Sequence, residues 1–193
     1  MGGVAANGGA SNDPVGAGTA LSDDPELTCR LPGLETRSPV RVVVDGHQRL
    51  PLTHRLVADA GAMATWLMTF RPTAPEARAR RRAYEKAGVE IIDIVANDYG
   101  NPDITAVLGA LAKRGITRLL VEGGARISAA FLKVGLVDRL VWFRASGVIG
   151  GDGIPAAAGF GVEKLAEMAH FSLVSTRPVG DDWMECYTRG VEV

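Results

Sequence analysis

The chain has 193 residues, of which 47% are hydrophobic and 22% charged, with a net charge of −1. That balance is globular and excludes a disordered or fibrous protein. With so little net charge, no overall field draws the chain to nucleic acid or to an anionic membrane.

Residues 1–14 are rich in Gly, Ala and Asn, with little to pack. They read as a flexible or truncated arm ahead of one domain over residues 15–193. Gly16-Ala17-Gly18-Thr19-Ala20-Leu21 superficially matches a dinucleotide fingerprint, but the third glycine is missing. The residues before it are also poor strand formers, so the strand–turn–helix context is not expected. Asp23-Asp24-Pro25 reads as a surface turn leading to Arg30. Val40–Val44 is a short β-branched run and predicts a buried strand. Thr65–Phe70 predicts a second. Thr73-Ala74-Pro75-Glu76 opens a helix with a Thr cap and an early Pro, and Gly88 ends it.

Val89–Val95 is again strand-like. Asp103 opens a helix with Ile104, Val107, Leu108 and Leu111 on one face, closed by Gly115. Thr117–Val121 predicts a strand, and a helix follows from Ala125 to Val134. Leu140–Ala145 is a further strand, and Val162–Ala169 is weakly helical. Phe171–Arg177 and Trp183–Arg189 form a closing hairpin around Gly180-Asp181. Strands alternating with helices predict an α/β domain with a mostly parallel sheet and an antiparallel C-terminal hairpin. Ligands in such sheets bind at the carboxyl ends of strands. The loops after Val44, Val121 and Ala145 are therefore the places to look for chemistry.

Leu119-Leu120-Val121-Glu122-Gly123-Gly124-Ala125-Arg126 is the most informative element. A strand ends at an acid, two glycines make the turn, and a helix begins. Unpaired amides at the helix start favour an anion such as a phosphate. The bland reading is a tight turn that simply needs glycine. Glu122 fits beside a phosphate only if it accepts from a neutral donor, such as a sugar hydroxyl or a base N–H.

Other features weigh less. Gly147–Gly153 is either a mobile loop beside a site or merely a loop. Arg78, Arg80, Arg81 and Arg82 read as a solvated helix face rather than a nucleic-acid patch. The three histidines show no metal-ligand spacing. Trp66, Trp142 and Trp183 are assigned to the core or to an interface. Cys29 and Cys186 are far apart, which fits a reducing compartment. No run of about 18 apolar residues exists, and residues 1–18 lack the features of a signal peptide. The expected location is the cytoplasm.

Three segments taken together carry a resemblance: Val15–Arg30, Ser38–Asp45, and Leu119–Gly124 continuing through Phe131–Asp138. In this order and spacing the chain resembles the reductase domain of the bacterial bifunctional riboflavin-biosynthesis deaminase–reductase. The resemblance implies a dihydrofolate-reductase-like α/β fold with helices on both faces of the sheet. It implies NADPH-dependent reduction of 5-amino-6-(5-phosphoribosylamino)uracil to the ribitylamino compound, with hydride delivered to C1 of the opened ribose. It also implies a homodimer; no metal is expected, because the histidines and cysteines show no ligand spacing.

Residue by residue, the resemblance places Thr19 and Asp23 at the cofactor, and Leu27 and Arg30 at the substrate. The guanidinium fork of Arg30 suits the ribose phosphate. Glu122 is placed at the substrate, where it could assist proton delivery. Gly124, Ala125, Arg126, Ile127, Ser128, Ala129 and Ala130 lie along the cofactor, with Arg126 the candidate for its 2′-phosphate. The family often has Ser after the strand ending at Asp45; here Gly46 stands there, so that side-chain hydrogen bond is missing. The family's opening strand and helix have no counterpart upstream of Val15, nor has the zinc signature of the deaminase half. A sheet lacking that strand would carry unpaired backbone or complete itself with another copy. The alternatives are a truncated, non-catalytic remnant of the domain, or a related dihydrofolate-reductase-like reductase with another substrate.

Overall fold

A computed structural model describes residues 13–34, 37–122 and 124–190. Most of the expected N-terminal arm, and Gly123 of the glycine turn, lie outside the described residues. The chain divides within one helix into two compact units, one through Ile127 and the other from Ser128.

The first unit is built on four parallel strands in sequence order: β1 (Asp13–Gly16), β2 (Arg41–Val44), β3 (Thr65–Phe70) and β4 (Glu90–Ile94). The helices between and after them are α1 (Ala17–Asp23), α2 (Arg55–Ala58), α3 (Pro75–Lys86) and α4 (Ile104–Ala112). Register sets the two faces: Val43 pairs with Leu67 and Leu67 with Ile91, while Val44 pairs with Met68 and Met68 with Ile92. Adjacent residues of a strand point to opposite faces, so these are two separate rows. Val43 and Leu67 join Ala20, Leu27, Leu56, Val57, Tyr84 and Val89 in one apolar core. Burying such a side chain contributes about 1.5–3 kcal/mol. The other face holds Trp66, which shares its side of β3 with Met68. Arg114, just past α4, sits over the Trp66 ring at 5.9 Å, so α4 covers this second face. Its buried residues are Ile104, Val107 and Leu111, the stripe predicted by spacing.

Helix α5 (Ala125–Lys133) leads into the second unit. There β5 (Arg139–Arg144), β6 (Phe171–Val179) and β7 (Asp182–Arg189) make an antiparallel sheet in the order β5-β7-β6. Gly180, at φ +62°, supplies the left-handed turn between β6 and β7, a conformation that glycine adopts without strain. The predicted hairpin is present.

Several expectations need correction. Asp13–Gly16 does form a strand and Ala17–Asp23 a helix, so the strand–turn–helix context exists. The cause is tertiary: β1 pairs along its whole length with β2, from Asp13↔Arg41 to Gly16↔Val44, which outweighs weak local propensity. Gly18 falls inside the helix rather than in a phosphate-binding turn. The N-cap of α3 is Ala74 rather than Thr73, although Pro75 takes the first turn as expected. Among the described residues, the run 117–121 holds a bridge position only at Leu119; a β-branched pattern makes a strand only where a neighbour pairs along it. Residues 162–169 contain one short 3₁₀ turn, Leu165–Glu167. Of the core-or-interface assignment for the tryptophans, the core half fails for Trp142 and Trp183, which are exposed on the antiparallel sheet.

The arginine run also splits. Arg80 bonds the Tyr84 hydroxyl and the Leu50 carbonyl, and Arg81 pairs with Asp93 and Glu85, so these two are not a solvated face. Helix α2 is too short to show periodicity. It is capped from a distance, where Asp24 Oδ1 accepts from the Arg55 amide at 2.8 Å.

One turn organises the carboxyl edge of the sheet. Asp45 is fully buried, and its Oδ2 accepts from the Arg49 and Leu50 amides at 2.5 and 2.9 Å. From the other side the Tyr84 hydroxyl donates to the Leu50 carbonyl at 2.5 Å. Replacing Asp45 by Ala strands two amides, each worth about 1–3 kcal/mol when buried and unpaired. The expected outcome is a loss of about 2–4 kcal/mol, read from urea unfolding; a loss below about 0.5 kcal/mol would show that the turn holds without it.

Candidate functional site

The first three strands end side by side, and the residues just beyond them define the site. Gly16 closes β1 and the chain enters α1 at once. Thr19 lies half-buried in the first turn of α1. It faces Gly124, just before α5: a Cβ built on Gly124 would stand 2.5 Å from Thr19 Oγ1. Gly124 also has φ +93°. Steric fit and backbone conformation both demand glycine there. The structure thus joins two segments more than a hundred residues apart that sequence reasoning had assigned to one cofactor. Bare backbone and hydroxyl thus meet directly just before α5, and this backbone cradle lies where the amides of a helix start favour an anion.

Gly46 follows β2. Its carbonyl accepts from Thr69 Oγ1 at 3.0 Å and from the Phe70 amide at 3.1 Å. A Cβ on Gly46 would sit 2.6 Å from the Phe70 ring. Phe70 therefore occupies the space that a serine side chain would need. The ring in turn meets His47 edge-on, with centroids 5.3 Å apart.

Asp23 is exposed at the last residue of α1, one turn from Thr19 on the same helix face. Leu27 has φ +49° and is buried among Ala20, Val43 and Leu56. Its side chain belongs to the core, so the turn from Asp24 to Arg30 is anchored there. Arg30 is exposed beyond this anchor. Glu122 is half-buried, and burial raises its carboxyl pKa while the positive charge of Arg30 pulls it down. These two residues are brought within electrostatic reach although nothing in their spacing announces it. On α5, Ala125 is half-buried, Arg126 exposed and Ile127 buried; Ser128, Ala129 and Ala130 continue the same helix.

Sequence reasoning missed Phe70, which shapes the space at Gly46, and Asp45, whose carboxylate builds the turn. An acid followed by glycine directly after a β-branched run was the available signal for Asp45.

This arrangement offers a backbone cradle, an exposed cation and a carboxyl of raised pKa. A dinucleotide held at this cradle would be lost in Gly124→Ala while the chain stays folded, because strain and clash fall there. Calorimetric titration with NADPH measures this, and unchanged affinity would remove Gly124 from the site.

Comparison with known proteins bears on family and fold. The RibD C-terminal domain profile matches residues 15–184. A riboflavin biosynthesis protein RibD from Bacillus amyloliquefaciens is 33% identical over 169 residues, covering 87% of this chain and 43% of that protein. A 2,5-diamino-6-ribosylamino-4(3H)-pyrimidinone 5′-phosphate reductase from Methanothermobacter thermautotrophicus is 31% identical, covering 90% of this chain and 77% of that protein. The crystal structure of a pyrimidine reductase-like protein from Corynebacterium diphtheriae superposes with a TM-score of 0.75 at 20% identity, over 95% of this chain and 77% of that one. The chain spans less than half the length of the RibD relative. It belongs to the RibD C-terminal reductase-domain family, with the dihydrofolate-reductase-like α/β fold of that family.

Proposed function

We propose that residues 15–193 form an NADPH-dependent reductase of 5-amino-6-(5-phosphoribosylamino)uracil, acting in the cytoplasm as a homodimer. The observation that carries this reading is the contact of Thr19 with the bare Gly124 backbone, with Glu122 two residues before it and Arg30 within electrostatic reach of that carboxyl. A phosphate-matching cation, a carboxyl and a nucleotide cradle are the parts such a reduction needs.

Thr19, Asp23, Gly46 and the segment from Gly124 to Ala130 would hold the cofactor, largely through backbone. When bound, NADPH supplies the hydride for C1 of the opened ribose. Arg30 holds the ribose phosphate by its guanidinium fork. The reaction also consumes a proton at the reduced C–N bond. Glu122, its pKa raised by burial, keeps a proton closer to neutrality than an ordinary carboxyl does. Leu27 sets the position of Arg30 from inside the core.

A second reading is favoured by the coverage of the archaeal reductase, 77% of its length against 43% for RibD. In that reading the substrate is the 2,5-diaminopyrimidinone phosphate. The two candidates differ at one exocyclic position of the ring, and NADPH oxidation with each in turn decides between them. Turnover of neither would favour the non-catalytic remnant.

Two outcomes test the residue roles. Arg30→Ala should raise KM for the phosphorylated pyrimidine about tenfold or more, as expected for losing a charged hydrogen bond. The dephosphorylated compound should be affected far less; equal loss for both would detach Arg30 from the phosphate. For Glu122 the folded pKa lies above the unfolded value. The native state then binds more protons in that window, so its stability falls as pH rises through it. Glu122→Gln should remove this fall, read from melting temperatures between pH 4 and pH 8. Parallel curves for the two proteins would show that Glu122 is not held in a desolvating site.

A further inference from the structure

A basic cleft opens at the carboxyl end of β3. Its volume is about 390 Å³, and Arg71, Pro72, Arg78, Arg81 and Asp93 line it. Arg71 Nε lies 3.4 Å from Asp93 Oδ2, and Arg81 Nη1 donates to Asp93 Oδ1. Arg81 Nε also pairs with Glu85 at 3.2 Å. Asp93 therefore ties two guanidinium groups together and orients them. Arg78 has no carboxylate partner among the described residues. Three cations meet a single carboxylate in the cleft wall, and that surplus fits an anion with several oxygens.

The position of the cleft is as telling as its charge. Arg71 follows Phe70, whose amide and ring are fixed against Gly46. β1, β2 and β3 are consecutive in the sheet, so the cradle at Thr19, the turn at Gly46 and Arg71 lie past three neighbouring strand ends. Neighbouring strands are about 4.8 Å apart, so the first and third ends are separated by roughly 10 Å. A nucleotide laid across these ends would run from the cradle toward the cleft, whose lining continues to Asp93 near the end of β4.

Resting on the reductase reading above, we propose that this cleft receives a phosphomonoester, namely the 2′-phosphate of the dinucleotide, with Arg78 and Arg71 as its ligands. The arginine run of α3 then has two jobs. Arg80 and Arg81 are structural, through Leu50 and Asp93, and Arg78 reads the ligand. Arg126, at the start of α5, is not needed for that discrimination.

The test is binding by the full chain, followed by calorimetry, with four probes: NADPH, NADH, 2′,5′-ADP and 5′-AMP. The last two differ only by the 2′-phosphate and report on the cleft without any reduction. Wild type should prefer each 2′-phosphorylated probe by about tenfold or more, the worth of a charged hydrogen bond. Arg78→Ala should bring both ratios to within about twofold while leaving NADH affinity unchanged, since Arg78 touches only the added phosphate. Arg78→Lys should keep part of the preference, and Arg126→Ala all of it. Arg71→Ala is the second loss variant, and melting temperatures verify that each variant is folded. If Arg78→Ala and Arg71→Ala both keep the ratios, or weaken NADH as much as NADPH, the proposal is overturned. If Arg78→Ala instead raises KM for the phosphorylated pyrimidine, the cleft binds substrate phosphate and the proposal likewise falls. A chain that reduces the pyrimidine equally well with NADH and NADPH keeps its function but refutes the cleft. A chain that binds no probe refutes both.

Discussion

The carboxylate of Asp45 is the constraint on which the carboxyl edge depends. It is buried, and it exchanges water for the amides of Arg49 and Leu50. A buried carboxylate is tolerated only when its oxygens are occupied in this way. The turn it closes puts Gln48 at φ +56° and sends Leu50 into the core. Tyr84 and Arg80 of α3 grip the same turn through its carbonyls. With both sides held, Gly46 offers its carbonyl to Thr69 and Phe70, and β2 and β3 end in fixed register. Arg41 does the corresponding work where β2 begins. Its guanidinium, fully buried, reaches the Met63 carbonyl, Thr65 Oγ1 and the Glu26 carbonyl, and so ties the Asp24–Arg30 turn to the sheet.

Much of this fold was legible because its strands are short β-branched or apolar runs and helix α4 carries an apolar stripe. β2, β3 and β4 follow from Val40–Val44, Thr65–Phe70 and Val89–Val95, and α4 from Ile104, Val107 and Leu111. What was not legible depends on pairing at long range. Asp13–Gly16 is a strand because β2 lies beside it. Helix α2 starts where Asp24, far upstream, accepts its first amide. The site divides in the same way. Glycines at 46 and 124 are visible as motif letters, but the Phe70 ring and the Thr19 hydroxyl that make glycine necessary are not. Resemblance supplied Arg30 and Glu122 separately; only the fold sets one charge against the other.

Phe70 fills the space in front of Gly46. With glycine at 46, the end of β2 presents backbone and a wall made by an aromatic ring. His47 braces that ring edge-on, an arrangement favoured by the aromatic quadrupole. A rigid wall of this kind favours orientation over hydrogen-bond count.

The order of the parallel strands has a consequence for how the molecule is made. Each strand of the first unit is hydrogen-bonded to the one synthesised just before it, with single helical crossovers between. Loop closure stays short at every step, which keeps the contacts local for a parallel sheet. A nascent chain leaving the ribosome can therefore add β2, β3 and β4 one at a time to an existing edge. The second unit differs: β5 pairs with β7 and not with β6, so it waits until β7 has been made.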